Sequence, residues 1–394
     1  MEFTDVKKIK KKFNLIQSRI HNINMLIKGK EIEPIVNYNG ENEFESIDEE
    51  DIRNILPKKN YNFIQVIDQI GGKLLYVKSG STGHTFRGVY LEDTLNPGYA
   101  VKIVPYPRKE NYGDVYDPSR PENAELIMLR VLSQFVISNQ TPHIILPMCT
   151  FNTSIKQFVN LKKGDFVNNK KYDQFIERHQ NHEFYNNVSV LISEWADGGD
   201  LMEFIRKKYK KFKLKHWKVL FFQIISVLAV IHKKYPDFRH NDLKANNILI
   251  QKLEKSKKYT KYMYEINGQS YIIPNIGFNI KLWDFDFACI PGIVDNAKVS
   301  SKWTNKINIK PEKNQYYDMH YFFNTLTTSR GFMADFFIDD IIPAEAKEFV
   351  RRIVPKKYRE GEFISERGRI LVTDEYLTPD YVIKNDKFFK DFRI

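Results

Sequence analysis

The run His240-Asn241-Asp242-Leu243-Lys244-Ala245-Asn246-Asn247, followed at a distance by Trp283-Asp284-Phe285-Asp286, gathers residue types that share one use. An Asp, a Lys two places on, an Asn five places on and a downstream Asp-Phe can position a hydroxyl nucleophile and hold a hard divalent cation against a polyphosphate. Phosphoryl transfer asks little covalent chemistry of a protein, so catalysis there is mostly positioning and charge neutralisation. In such a site Asp242 would accept the proton of the attacking hydroxyl, and Lys244 would lie on the transferring phosphate. Asn247 and Asp284 would be the metal ligands. Mg2+ prefers oxygen donors and keeps much of its water, so one amide and one carboxylate suffice.

Such groups need elements to place them. Lys78-Ser79-Gly80-Ser81-Thr82-Gly83-His84-Thr85 reads as a hairpin turn. Gly80 and Gly83, with Ser81 and Thr82 between them, would let backbone N–H groups approach phosphates without a blocking Cβ. The next strand ends in Tyr99-Ala100-Val101-Lys102-Ile103. A lysine flanked by so many apolar residues needs a partner. The candidate is Glu125, in a helix opened by Pro121 and acidic residues. It is preferred to Glu122 because it directly precedes the apolar stripe Leu126, Leu129, Leu132. Ser193-Glu194-Trp195-Ala196-Asp197-Gly198-Gly199 reads as a strand passing into an extended link, suited to a hinge.

Elsewhere the pattern is plainer. Val6, Ile9, Phe13, Ile16, Ile20, Ile23 and Ile27 step by three and four, the seam of an amphipathic helix. The seam is expected to pack on the core, with self-association or docking on an anionic surface as the other uses. Residues 31–60 read as an acidic linker, and from Tyr61 the alternation suggests a strand. Pro142 to Leu146 and Val188 to Ile192 read as further strands, with 152–187 an insertion. Asn267-Gly268 between alternating segments is a hairpin signal. Trp217 to Ile231 is an amphipathic helix.

Composition bounds the rest. The chain has 394 residues, 42% hydrophobic and 28% charged, enough for two lobes with their own cores. The run Val219 to Ile231 is interrupted by Gln223 and Ser226 and is too short to span a bilayer. The lysine-rich start lacks the apolar core of a signal peptide. Two cysteines imply no disulfide framework and fit a reducing, cytoplasmic setting. The net charge of +12 favours anionic partners in general, without selecting nucleic acid.

With these residues in view the chain resembles the eukaryotic-type serine/threonine protein kinases over about residues 65–392. The resemblance implies an α+β, bilobal fold: a small, mostly-β N-lobe at about 61–194 and a larger, mostly-α C-lobe at about 195–394. Residues 1–60 would add a helix and linker. It implies use of ATP and Mg2+ and protein substrates bearing Ser or Thr. Lys102 falls in the family's Val-Ala-Ile-Lys pattern, whose lysine pairs the phosphates. Ala100 would line the nucleotide site, and the backbone at Glu194 and Ala196 would meet adenine. More narrowly the chain looks like the poxviral virion-assembly kinase and its giant-virus relatives. That match rests on Asp284-Phe285-Asp286-Phe287, the segment Tyr316 to Phe323 and the long Asn-Gly hairpin. It adds host cytoplasm, virion association and particle assembly as expectations. Asp318 aligns with the family's buried anchor of the catalytic loop, and Arg367 or Arg369 with the partner of an activation-segment Glu, here Glu312. Two departures stand out: Asn241 replaces the usual Arg, and Asp286 the usual Gly. The loop then lacks the cation that meets an activation-loop phosphate, so activity is expected not to need one. A choline- or aminoglycoside-type kinase shares the His-Asn-Asp pattern, but Lys244 and the tail from Ile341 oppose it. A scaffold without turnover would not need all of Lys102, Glu125, Asp242, Asn247 and Asp284.

Overall fold

The computed structural model describes residues 9–11, 13–38, 55–56, 58–80, 83–90, 98–161, 170–253, 260–327 and 331–394. Five antiparallel strands form the upper lobe: β2 (Lys73–Ser79), β3 (His84–Val89), β4 (Tyr99–Pro107), β5 (Pro147–Ser154) and β6 (Phe184–Glu194), in the order β2-β3-β4-β6-β5. β4 is central, and its Tyr99, Val101 and Ile103 are fully buried. Helix α3 (Pro121–Ile137) starts with proline at its first turn and buries nearly its whole surface between the lobes. Two parts of the sheet differ from the sequence reading. The strand expected at 142–146 begins instead at Pro147, with Ile144 making a single bridge to Leu282, and β6 starts at Phe184 rather than Val188.

The lower lobe is organised by α6 (Leu214–Lys234), which follows the short helix α5 (Leu201–Lys208). Among the described residues α6 alone is apolar and long enough to cross a membrane, and most of it is buried inside the protein. The residues that interrupt its apolar run have internal uses: Gln223 accepts from Ile280 N at 2.9 Å and donates to Asn279 Oδ1 at 3.0 Å. Helices α7 (Tyr317–Thr327), α8 (Ala344–Ile353) and α9 (Pro379–Asn385) pack around it, α7, α8 and the turn that follows α9 through aromatic rings. Phe221 meets Phe323 edge-on, with centroids 4.9 Å apart, and Phe349 stacks on Phe388 at 4.4 Å.

Strands β7 (Ile248–Lys252) and β10 (Phe278–Leu282) pair antiparallel across the site. Between them stands the hairpin β8 (Lys261–Ile266) and β9 (Gln269–Pro274), turned at Asn267 (φ 50°) and Gly268 (φ 86°) as the Asn-Gly signal requires. Its ends return side by side, so the catalytic run and the metal motif remain neighbours.

The N-terminal region departs most from expectation. Ile9–Lys11 is a strand, β1, running parallel to β8, and only Phe13–Ile27 is helical, α1; Val6 lies outside the described residues. Ile16, Ile20 and Ile23 are buried in the common core, so the seam is occupied by the protein itself. The 31–60 segment is likewise packed where described: Ile32, Ile35, Val36 and Tyr38 are buried, and Ile35 N bonds Met148 O at 3.0 Å. The strand expected from Tyr61 is a helix, α2 (Phe63–Ile70). Phe63, Val66, Ile67 and Ile70 form its buried face at helical spacing, Asn62 caps its start, and Gly71 ends it at φ 89°.

Candidate active site

Lys102 leaves the central strand into the cleft between the lobes and is 7% exposed. Its Nζ lies 2.6 and 2.9 Å from the two carboxylate oxygens of Glu125 on α3, and 3.1 Å from Asp284 Oδ1. Burial opposes its charge, but Asp284 and Glu125 outweigh burial and hold the ammonium above the ordinary lysine range. Burial pushes the Asp284 carboxyl up, and Lys102 more than reverses this, leaving it below its usual value. Glu122 pairs with Arg120 at 2.9 Å, so the preferred candidate is the one that meets Lys102.

The catalytic run is held from below. Asp318, at the start of α7, accepts His240 N at 2.6 Å and Asn241 N at 2.9 Å. His240 Nε2 lies 3.1 Å from Trp283 O, which ties this run to the metal motif. Lys244 Nζ reaches Asp242 Oδ2 at 2.8 Å, and Asn247 Nδ2 reaches the same oxygen at 2.9 Å. Arg369 donates to Asp242 Oδ1. An ionised carboxylate offers about four lone-pair sites. Three donors therefore leave Asp242 room to accept one more hydrogen.

Of Arg367 and Arg369, the two candidates for Glu312, Arg369 meets Asp242 and the Asn241 carbonyl instead, and among the described residues no ion pair joins Arg367 to Glu312. Glu312 is held through its carbonyl by Arg239 at 3.1 Å. Asp286 pairs with Lys298, and its φ is not positive; the left-handed conformation falls on Asp284 (φ 61°). Substituting Gly by Asp at 286 thus carries no backbone penalty.

The hinge closes the site at the back. Gly198 lies against β7, where a Cβ would come 2.4 Å from an Ile250 methyl, and its N bonds Ile250 O at 2.8 Å. Ala196 is buried. Ala100 sits on β4 in register with Arg87 and Ser193. Glu194 has a role that sequence reasoning missed. Its carboxylate accepts from Arg19 of α1, pairs with Lys281 of β10 at 2.7 Å and accepts Leu146 N at 2.8 Å. Arg19 also donates to the carbonyls of Pro142 (2.7 Å) and Ile144 (2.6 Å). Burial would raise the Glu194 carboxyl, but Arg19 and Lys281 bring it down to about 2. Lys281, a charge between Ile280 and Leu282, was the one legible sign of this cluster.

At the phosphate hairpin Gly80 N bonds Gly83 O at 2.8 Å. Gly83 touches β4 so closely that a Cβ would fall 2.0 Å from Ile103 O. Ser81 and Thr82 lie outside the described residues.

A model of the protein kinase domain matches residues 165–306. A protein of Acanthamoeba polyphaga mimivirus, assigned by name to the serine/threonine protein kinases, is 44% identical over 384 residues, covering 96% of this chain and 80% of that one. The chain belongs to the serine/threonine protein kinases. A second mimivirus protein carrying that family name is 27% identical over 268 residues, 59% of this chain and 64% of its own length. A Dictyostelium discoideum protein so named is 32% identical over 102 residues, 25% of this chain and 8% of its own. The bilobal α+β architecture is that of this family, whose members use ATP and Mg2+ in general and act on proteins. Among the described residues no three His, Cys, Asp or Glu side chains converge on a metal position. Mg2+ takes one or two protein oxygens and completes its shell with phosphate and water; the Asn247 amide oxygen and the Asp284 carboxylate are the ones that would hold it.

Proposed function

We propose that this kinase transfers the γ-phosphate of ATP to Ser or Thr hydroxyls of proteins, with Asp242 as the base. The supporting observation is the convergence of Lys102, Glu125, Asp242, Lys244, Asn247 and Asp284, from four separate segments, on one cleft. Asn247 and Asp284 would hold Mg2+, which supplies charge neutralisation on the phosphates. In the transfer, the acceptor hydroxyl oxygen bonds to Pγ as the bond from Pγ to the bridging oxygen breaks. The hydroxyl proton passes to Asp242, and ADP carries away the bonding electrons. Lys244, 2.8 Å from Asp242 Oδ2, can bridge the base and the transferring phosphate. Lys102, kept in place by Glu125, would bind the non-transferred phosphates. Ala100, Ala196 and the Glu194 backbone would receive the adenine, under the hairpin of Gly80, Ser81, Thr82 and Gly83.

The giant-virus relatives support action in a viral cycle; particle assembly as the process served is supported by the resemblance to the poxviral virion-assembly kinase alone. Both cysteines, Cys149 and Cys289, are free and buried, which supports a cytoplasmic setting. The test is transfer of labelled phosphate from ATP with Mg2+ to acidic and basic proteins, choline and aminoglycosides. Label on Ser or Thr that disappears with Asp242→Asn is expected; label confined to the small molecules would overturn the reading.

A further inference from the structure

A cavity of about 280 Å³ lies against the glycine hairpin. Gly80 and Gly83 form one wall, Pro121 and Glu122 at the start of α3 another, and Asp286 and Lys298 a third. The fourth is helix α4 (Lys170–Gln180), from the insertion between β5 and β6. This helix is seated on the hairpin by its aromatic face: Tyr172 and Phe175 meet the His84 ring edge-on at 5.6 and 4.5 Å. The catalytic groups Lys102, Asp242, Asn247 and Asp284 are not among its described walls. It therefore adjoins the nucleotide site, sharing the hairpin glycines and the last residue of the metal motif, without containing the catalytic groups.

Its charge is lopsided. Lys109, Lys171, Arg178 and Lys298 line it, against Glu122 and Asp286. Both acids are already answered, Asp286 by Lys298 and Glu122 by Arg120. Arg178 has Glu183 at 2.7 Å, a pair exposed to solvent and weak for that reason. Among the described residues no carboxylate pairs with Lys109 or Lys171. Burial and then the neighbouring Lys298 and Arg178 charges lower the affinity of Lys109 for its proton, with Glu122 and Asp286 acting more weakly the other way. The volume is at the small end for ligand pockets, enough for one side chain and not for a nucleotide.

We propose that this cavity is an anion subsite for the protein substrate, accepting a carboxylate or phosphorylated side chain close to the acceptor hydroxyl. The proposal rests on the protein-kinase reading. It resolves a conflict left by composition: Asp197, Asp200 and Glu203 near the hinge favour basic substrates, and the net charge favours acidic ones. The cavity adjoins the transfer site and favours the second.

The test uses the full chain and serine peptides differing only in flanking Asp, phosphoserine, Ala or Lys. Wild type is expected to favour the Asp or phosphoserine peptides over Ala at least tenfold in kcat/KM, mainly through KM. Lys109→Glu with Lys171→Glu should abolish that preference and shift it toward Lys, while kcat on the Ala peptide stays within twofold. Indifference of wild type to flanking charge, or an unchanged preference in the variant, overturns the subsite. Preference for phosphoserine over Asp would identify a pre-phosphorylated substrate as the source of the anion. Binding of a fluorescent phosphoserine peptide, read by anisotropy, needs no turnover. At least tenfold weaker binding by the double variant supports the subsite even if no peptide is phosphorylated, and equal binding overturns it. Failure to phosphorylate any peptide or protein counts against the kinase reading instead. Inorganic phosphate alone competing as well as the phosphopeptide would also overturn a substrate subsite.

Discussion

On the floor of the cleft Lys244 and Asp284 each keep 34% of their side-chain surface exposed, whereas behind the hinge Arg19, Glu194 and Lys281 keep 13%, 11% and 2%. Both clusters are charged, and both join distant segments. The floor leaves acceptor capacity facing the cleft, where substrate phosphates and a hydroxyl would complete it. The hinge cluster is closed: one carboxylate is shared between two cations, and Arg19 also satisfies two carbonyls. A group awaiting a ligand should govern rate, and a group with its partners already in place should govern stability.

The largest effect expected from this contrast is in rate. Asp242→Asn should reduce transfer by about 10³-fold, within the range for loss of a positioned base. It should still unfold cooperatively, since the one amide oxygen can keep the Lys244 and Asn247 contacts and only the Arg369 contact is lost. Lys102→Met should cost about 10²-fold, comparable to removing one donor from a preorganised anionic site. Radiolabel incorporation with thermal melts on the same samples checks both. Collapse of the melt in either variant would show that the floor is structural, and the contrast would fail.

Arg19→Ala should do the reverse. Removing one partner of a buried pair costs about 3–5 kcal/mol, much of it the stranded charge; Lys281 remains beside Glu194, which argues for the lower end. Urea unfolding should show the loss while kcat at saturating ATP stays within about threefold. A large fall in kcat with an unchanged urea midpoint would move this cluster to the catalytic side.

Acid sharpens the same point. Glu194 has its folded value at about 2, below the 4.5 of a free glutamate. A depressed carboxyl contributes stability that is present above the unfolded value and lost as pH falls through the folded one. The stability difference between wild type and Glu194→Gln should therefore be flat above pH ~5 and shrink between ~4.5 and ~2. A difference independent of pH in that window would mean that the carboxylate charge is not what holds the hinge.

The floor was legible in sequence because its groups lie within a few positions of one another or at the end of a recognisable strand. Asp242, Lys244, Asn247 and Asp284 needed only local spacing. The hinge cluster was not, because Arg19 and Glu194 are 175 positions apart and an arginine on an amphipathic helix looks like any solvated charge. The α2 helix was misread for a different reason. Its eight residues are rich in β-branched side chains that suit strands, and only the spacing of Phe63, Val66, Ile67 and Ile70, with caps at Asn62 and Gly71, argued otherwise. The hairpin and the core helix were read correctly because Asn-Gly and a long 3.6-residue period are strong signals on their own.

The smallest expected effect is a null one, and it concerns how the floor is kept in shape. Asn241 occupies φ 63°, a conformation that asparagine tolerates better than most side chains. Its amide donates to Phe287 O at 3.0 Å and Lys310 O at 3.4 Å, joining both ends of the segment that follows the metal motif. Arg239 adds bonds to the carbonyls of Asn308 at 2.8 Å and Glu312 at 3.1 Å. The segment is thus fastened through backbone carbonyls by the Asn241 amide and the Arg239 guanidinium, with no phosphate required to complete these contacts. Exhaustive phosphatase treatment, verified by mass spectrometry, should leave activity within about twofold. Asn241→Ala should lower it by about tenfold, roughly 1.4 kcal/mol, the scale of one hydrogen bond. If phosphatase abolishes activity while Asn241→Ala does nothing, the segment depends on a phosphate after all, and the floor is not preformed.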